Sequence, residues 1–377
     1  MAEVHGTCDP KFESVRAALS ASLDAGSDVG ASIAVLLHGE PVVDIWGGWA
    51  DETRTRPWEG DTLTNVWSTT KTMTFLCALM LADQGELDFG APVATYWPEF
   101  AQAGKARVEV RHLMSHSAGL SGWEVALAPE ELADWERCTS LLAAQEPWWE
   151  PGTASGYHAV TQGYLIGEVV RRITGESIGT WFAKEIAAPL GADFFIGLPE
   201  SEDGRTVNVI PNPPLDPDSL GGRSNVIQRK TFTNPPLDAA NACTTWWKRA
   251  EIPAANGQGN ARSVALIQSI VAGRGEARGV RLLSSASVDK VFESQVNGTD
   301  LCLSVPMHFG LGYGLAGEFM PIGPRACFWG GYGGSIILMD QDAGLTFCYV
   351  MNKMAPALVG DTRGAGYLMA AVAALAP

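Results

Sequence analysis

The sequence predicts an α/β sheet domain built from both ends of the chain, with a mainly helical domain inserted between them. Three observations lead there. Strand signals cluster near the start of the chain, over 31–46. They return near its end, over 327–352. Helical patterns dominate between them from Ser68 to about Ala188. Strands at both ends with helices between suggest one sheet closed by the two termini. The expected division assigns 1–75 and 290–377 to the sheet domain. It assigns 76–289 to the helical domain, which includes a Pro/Gly-rich loop over 199–238.

In chain order, Phe12, Val15, Leu19 and Leu23 lie near helical spacing, so 10–25 reads as an amphipathic helix broken by Gly26 and Gly30. Ala31 to Leu37 and Pro41 to Trp46 are apolar runs separated by His38-Gly39-Glu40, which signals a β-hairpin. Gly47-Gly48 and the polar segment 51–62 form a loop. Tyr164, Leu165, Val169 and Ile173 share one face of a helix over 161–173, and Gly175 follows it. The loop over 199–238 carries Asn212-Pro213-Pro214-Leu215-Asp216 and, 22 residues on, Asn234-Pro235-Pro236-Leu237-Asp238. Two five-residue copies are too few for a solenoid and read as paired turns. Helices are expected at 263–272 and, capped, near 284–292. Strands are expected at 327–329, 335–339 and 345–352, then a helix from about Gly364.

Composition narrows the function. The chain has 377 residues, 46% hydrophobic and 18% charged, which can bury a sizeable core and argues against disorder. Lys+Arg total 26 and Asp+Glu 42, a net charge of −16. Such a chain repels phosphate backbones and anionic lipid, so neither nucleic acid nor a membrane is an expected partner. The apolar stretch Phe75 to Ala82 falls short of the roughly 20 residues that span a bilayer. Met1 to Gly6 lacks a basic segment followed by an apolar core, so no signal peptide is expected. The seven cysteines form no CxxC pair and no zinc spacing, which fits free thiols in a reducing cytoplasm. His112 and His116 lie four apart but lack a nearby acidic ligand, so no metal and no cofactor is expected.

A Ser-x-x-Lys pattern occurs twice. In Ser287-Val288-Asp289-Lys290, the neighbouring Ser284 and Ser285 make helix capping the better reading. Ser68-Thr69-Thr70-Lys71 differs, because it opens a very apolar helix from Met73 to Leu81. Residues three apart share a helix face, so Lys71 would sit beside Ser68. Burial lowers an amine's pKa and lets it accept a serine proton. Two further elements could join them. Tyr157 lies in the turn-rich loop Pro151 to Ala159, and Trp329-Gly330-Gly331-Tyr332-Gly333-Gly334 is a glycine-rich strand end that admits close backbone approach. Each has a plain structural alternative: an N-cap serine with a surface lysine, a packing tyrosine, a tight turn.

Taken in order, Ser68-Thr-Thr-Lys71, Tyr157-His-Ala159 and Trp329-Gly-Gly331 resemble the three motifs of the serine β-lactamase-related family. The likeness is to its family VIII carboxylesterases, relatives of class C β-lactamases and DD-peptidases. Leu113 to Leu120 resembles the family's LxxHxSGL segment, and Ala250 to Gly257 and Gly310 to Gly314 are also similar. The resemblance implies a class C β-lactamase-like fold: an antiparallel sheet flanked by helices, an inserted helical domain, and a site in the cleft between. It implies Ser68 as nucleophile, Lys71 and Tyr157 sharing the general-base role, and backbone N–H groups of Ser68 and Tyr332 as oxyanion hole.

Two departures bear on substrate. Trp329 stands where the lactamases carry a lysine, and Ala159 where they carry an asparagine. Both remove polar recognition of an anionic antibiotic. The expected activity is hydrolysis of short-chain, neutral small-molecule esters through a Ser68 acyl-enzyme, with Trp329, Gly330, Gly331 and Trp123 expected to contact substrate. A β-lactamase or DD-peptidase-like hydrolase, an acyltransferase using the same acyl-enzyme, and a non-catalytic binding protein are the alternatives.

Overall fold

The computed structural model describes residues 2–213, 226–236 and 238–375. Residues 214–216 of the first pentapeptide copy and Leu237 of the second lie outside them. Nine strands form one sheet, every neighbouring pair antiparallel. The expected hairpin is present as Gly30–Leu37 and Glu40–Gly48, turning at His38-Gly39. The two chain ends meet where Gly30–Leu37 pairs with Leu345–Met351, next to Ile336–Asp340 and Ala326–Gly330.

Gly30–Leu37 is buried along nearly its whole length, and its two faces show why. Successive side chains point to opposite faces of a sheet. The Ser32 hydroxyl accepts the Ala261 N–H on one face. Tyr349, which pairs with Ile33, packs on Tyr367 of the helix Thr362–Leu375 on the other. A strand covered on both sides reads as a continuous apolar run.

The helix Ala261–Ala272 falls within the stretch assigned to the helical domain, but its contacts are with sheet strands 345–351, 30–37 and 336–340. Lys71–Asp83 packs instead on the helices Thr161–Thr174 and Ile178–Phe182. Its residues 71–81 are all buried, as expected of a helix apolar on every side. Gly175 closes Thr161–Thr174 at φ 75°, the left-handed cap conformation that suits glycine.

Several elements depart from expectation. Gly47 and Gly48, expected in a loop, end the strand Glu40–Gly48, held by pairing with Val4–Cys8 and Gly30–Leu37. The sheet strands Val296–Thr299, Pro306–Phe309 and Gly314–Leu315, short and without an apolar run, are not expected from the sequence either. The helix Val226–Thr233 lies in what the sequence suggests is a loop. Two of its three buried residues are Gln228 and Thr231, so no apolar period marks it. The strand Val4–Cys8 pairs only with Glu40–Gly48 at the sheet edge and is largely exposed, so it needs no alternation. At the second Ser-x-x-Lys copy, Ser284 caps the helix Ser285–Asp289, and the Ser287 hydroxyl donates to Asp83 at 2.6 Å.

Candidate active site

Ser68 lies in the 3-10 turn Trp67–Thr70 that leads into Lys71–Asp83. The turn begins with Trp67 at φ 49°, a left-handed conformation that costs a bulky residue of order 1–3 kcal/mol. Packing supports it: the Trp67 ring meets Tyr332 edge-on at 5.2 Å and Trp247 at 5.4 Å. Lys71 follows one turn after Ser68 and is fully buried. Its Nζ lies 2.7 Å from the Ala159 carbonyl, 2.9 Å from the Ala254 carbonyl, 2.9 Å from the Tyr157 hydroxyl and 3.1 Å from Ser68 Oγ. The Tyr157 hydroxyl is 2.6 Å from Ser68 Oγ.

The two carbonyls can only accept, so they take two N–H bonds from Nζ. Burial lowers the Lys71 pKa well below the usual lysine range, which favours the neutral amine with two hydrogens. In that form both hydrogens go to the carbonyls, and the one lone pair can accept from either the Ser68 or the Tyr157 hydroxyl, both within reach. Burial also raises the Tyr157 phenol above its ordinary value, so it stays protonated. The cluster can thus draw a proton off Ser68.

The glycine-rich strand end faces the Ser68 turn. A Cβ at Gly331 would lie 2.2 Å from Ser335 Oγ and 2.4 Å from the Val66 carbonyl, so only glycine fits. The turn is held from behind by Arg363, which donates to the Gly333 carbonyl at 3.0 Å. That guanidinium is itself committed to Asp28 and Asp361, at 2.9 and 2.6 Å.

Ser68, Tyr157, Ala159, Val160, Phe232 and Tyr332 border one small cavity of about 10 Å³, room for roughly one water. Trp329, Gly330, Gly331 and Trp123 are not among the residues that line it. Trp329 is fully buried, stacked on His116 at 5.6 Å and packed on Tyr157 at 5.5 Å. Trp329 thus backs the tyrosine. Gly330 allows close approach to Gly360, whose N would lie 2.5 Å from a Cβ there. Trp123 donates to the Cys138 carbonyl at 3.0 Å and borders a neighbouring cavity beyond Ala159, Val160 and Phe232.

Sequence reasoning did not single out the Ala254 carbonyl or Phe232. The first acts through its backbone, which side-chain identity does not reveal. Among the described residues, no group of three or more His, Cys, Asp or Glu could hold a metal ion. No helix among them is long and apolar enough to cross a membrane.

Residues 15–371 match the Beta-lactamase family. The chain is 36% identical over 370 residues to "Esterase/beta-lactamase LipL" of Mycobacterium tuberculosis, covering 94% of this chain and 84% of that protein. A crystal structure of a family VIII carboxylesterase superposes with a TM-score of 0.93 at 41% identity, covering 99% of this chain and 100% of the other. A penicillin-binding protein homologue from Caulobacter crescentus superposes with a TM-score of 0.91 at 36% identity, covering 99% and 100%. Matching motifs, fold and relatives over nearly the whole length make this chain a member of the beta-lactamase family.

Proposed function

We propose that the protein is a serine carboxylesterase acting on small, neutral, short-chain esters. The observation that carries this reading is the Ser68–Lys71–Tyr157 cluster, three buried side chains in mutual hydrogen-bond reach. As the ester carbonyl is attacked by Ser68 Oγ, the serine proton passes to the neutral Lys71 amine, directly or through the Tyr157 hydroxyl. Backbone N–H groups of Ser68 and Tyr332 stabilise the oxyanion, each worth roughly 3–4 kcal/mol in comparable sites. The proton returns to the alkoxide, the alcohol leaves, and an acyl-Ser68 remains. Water attacks this ester with the same base, releasing the acid and restoring Ser68.

Opposite pKa displacements favour Lys71 as the final proton acceptor, with Tyr157 as relay. Activity then needs the neutral amine, so kcat/KM should fall as pH drops through the lowered Lys71 pKa. Tyr157 is displaced upward, so no alkaline loss is expected up to about pH 10. Blank-corrected initial rates on p-nitrophenyl butyrate test this. A rate that keeps climbing through pH 9–10, as an ordinary lysine or a required phenolate demands, would count against it.

The apolar side chains beside Ser68, Val160 and Phe232 among them, support an apolar acyl group, and a short chain is part of the proposal. A neutral substrate is supported by the burial of Trp329 and the pairing of Arg363 with two carboxylates. A hydrogen bond to a charged group contributes roughly 1.5–3 kcal/mol. Two missing contacts to a β-lactam therefore lower efficiency on the order of 10²–10⁴-fold. The expected result is ready cleavage of p-nitrophenyl butyrate and weak or undetectable cleavage of a chromogenic cephalosporin. If kcat/KM for the cephalosporin equals or exceeds that for the ester, the β-lactamase reading replaces this one. Seven unpaired cysteines support a cytoplasmic location.

A further inference from the structure

Tyr157 enters the site on a segment, 154–158, that is neither helix nor strand. Three consecutive amides in it are nevertheless held by distant partners. The Gly156 N–H donates to the His116 carbonyl at 2.9 Å, and the His158 N–H to His116 Nδ1 at 3.0 Å. Between them, the Tyr157 N–H donates to Asp300 Oδ1 at 3.0 Å. The same Asp300 oxygen takes the N–H groups of Cys302 and Leu303, both at 2.9 Å. One carboxylate oxygen thus closes its own turn and reaches across 143 residues to the tyrosine.

Asp300 is 1% exposed, and burying a carboxylate is costly. Closing the local turn does not require that cost, because a serine hydroxyl bonds the same i+2 and i+3 amides. What a serine cannot do is reach Tyr157. We infer that Asp300 is a positioning residue for the Tyr157 phenol, holding it at once against Ser68 Oγ and Lys71 Nζ. The inference rests on the esterase reading of Tyr157. Among the described residues Asp300 makes no hydrogen bond to Ser68 or Lys71, so it acts through the tyrosine. The phenol must satisfy two contacts, at 2.6 and 2.9 Å, and loosening its backbone lengthens both.

The test compares Asp300→Ser, Asp300→Asn and Tyr157→Phe on p-nitrophenyl butyrate, with folding checked by circular dichroism at the assay temperature. Asp300→Ser keeps the local turn and loses the long bond, so kcat should fall about 10–10²-fold with KM little changed. Asp300→Asn keeps the Oδ1 acceptor and should stay within about threefold of the parent protein. In the Tyr157→Phe background, Asp300→Ser should add almost nothing, because both changes remove one function. Asp300→Glu, which displaces the carboxylate, serves where Asp300→Ser does not fold, with the same loss in kcat expected. A folded Asp300→Ser with unchanged kcat, an equal loss in Asp300→Asn, or additive effects with Tyr157→Phe overturns the inference. A silent Tyr157→Phe overturns instead the role given to Tyr157 itself.

Discussion

Ser68→Ala should lower kcat on p-nitrophenyl butyrate on the order of 10⁴–10⁶-fold, as the loss of a nucleophile does elsewhere. The hydroxyl is the atom on which both Lys71 Nζ and the Tyr157 phenol converge. The loss should be in kcat, with the fold intact, since alanine retains the helix entry and Lys71 keeps its two carbonyl partners. A fluorophosphonate supplies the second readout. It should label the parent protein once, at Ser68, and leave Ser68→Ala unmarked. Ser287→Ala, in the other Ser-x-x-Lys copy, should be nearly silent, because that hydroxyl donates to Asp83, away from the Ser68 cluster. Retention of most of the parent rate by Ser68→Ala, or an adduct elsewhere, would falsify the acyl-enzyme mechanism.

Lys71→Met should separate catalysis from stability. Removing the base is expected to cost kcat about 10²–10⁴-fold. Stability should change with pH in a defined sense. The Lys71 pKa lies well below its unfolded value of about 10.4. Between those two values the unfolded chain binds more protons than the folded one, so this group makes stability rise with pH. Methionine has similar length and no proton to bind, so that contribution disappears. It also leaves the Ala159 and Ala254 carbonyls without a donor, which offsets part of any gain. The expected result is a stability difference, variant minus parent, that favours the variant most at neutral pH and declines steadily toward pH 10. Chemical denaturation at several pH values reads it. A difference independent of pH would show that Lys71 is protonated in the folded protein.

Much of the fold is legible in the sequence. The hairpin at 31–46, the helix over 161–173 and the three C-terminal strands each carry an apolar period or a turn signal that needs no partner to be read. The sheet composed of both termini followed from where those signals cluster. The candidate cluster was legible because its chemistry sits in side-chain types at helical spacing: Ser68 and Lys71 are three apart on a helix too apolar to hold an ordinary lysine.

What only tertiary structure decided is what depends on backbone atoms and on close approach. The carbonyls of Ala159 and Ala254 orient the lysine, yet an alanine carbonyl looks the same at every position in a sequence. Trp329 is fully buried and packs on Tyr157, a placement its identity does not announce. An indole's size favours cleft wall and core alike until its neighbours are known. Asp300 lies far from Tyr157 in sequence and meets it through a single amide. Such a contact has no period, no motif and no local propensity, because long-range hydrogen bonds form only after packing has brought the two segments together.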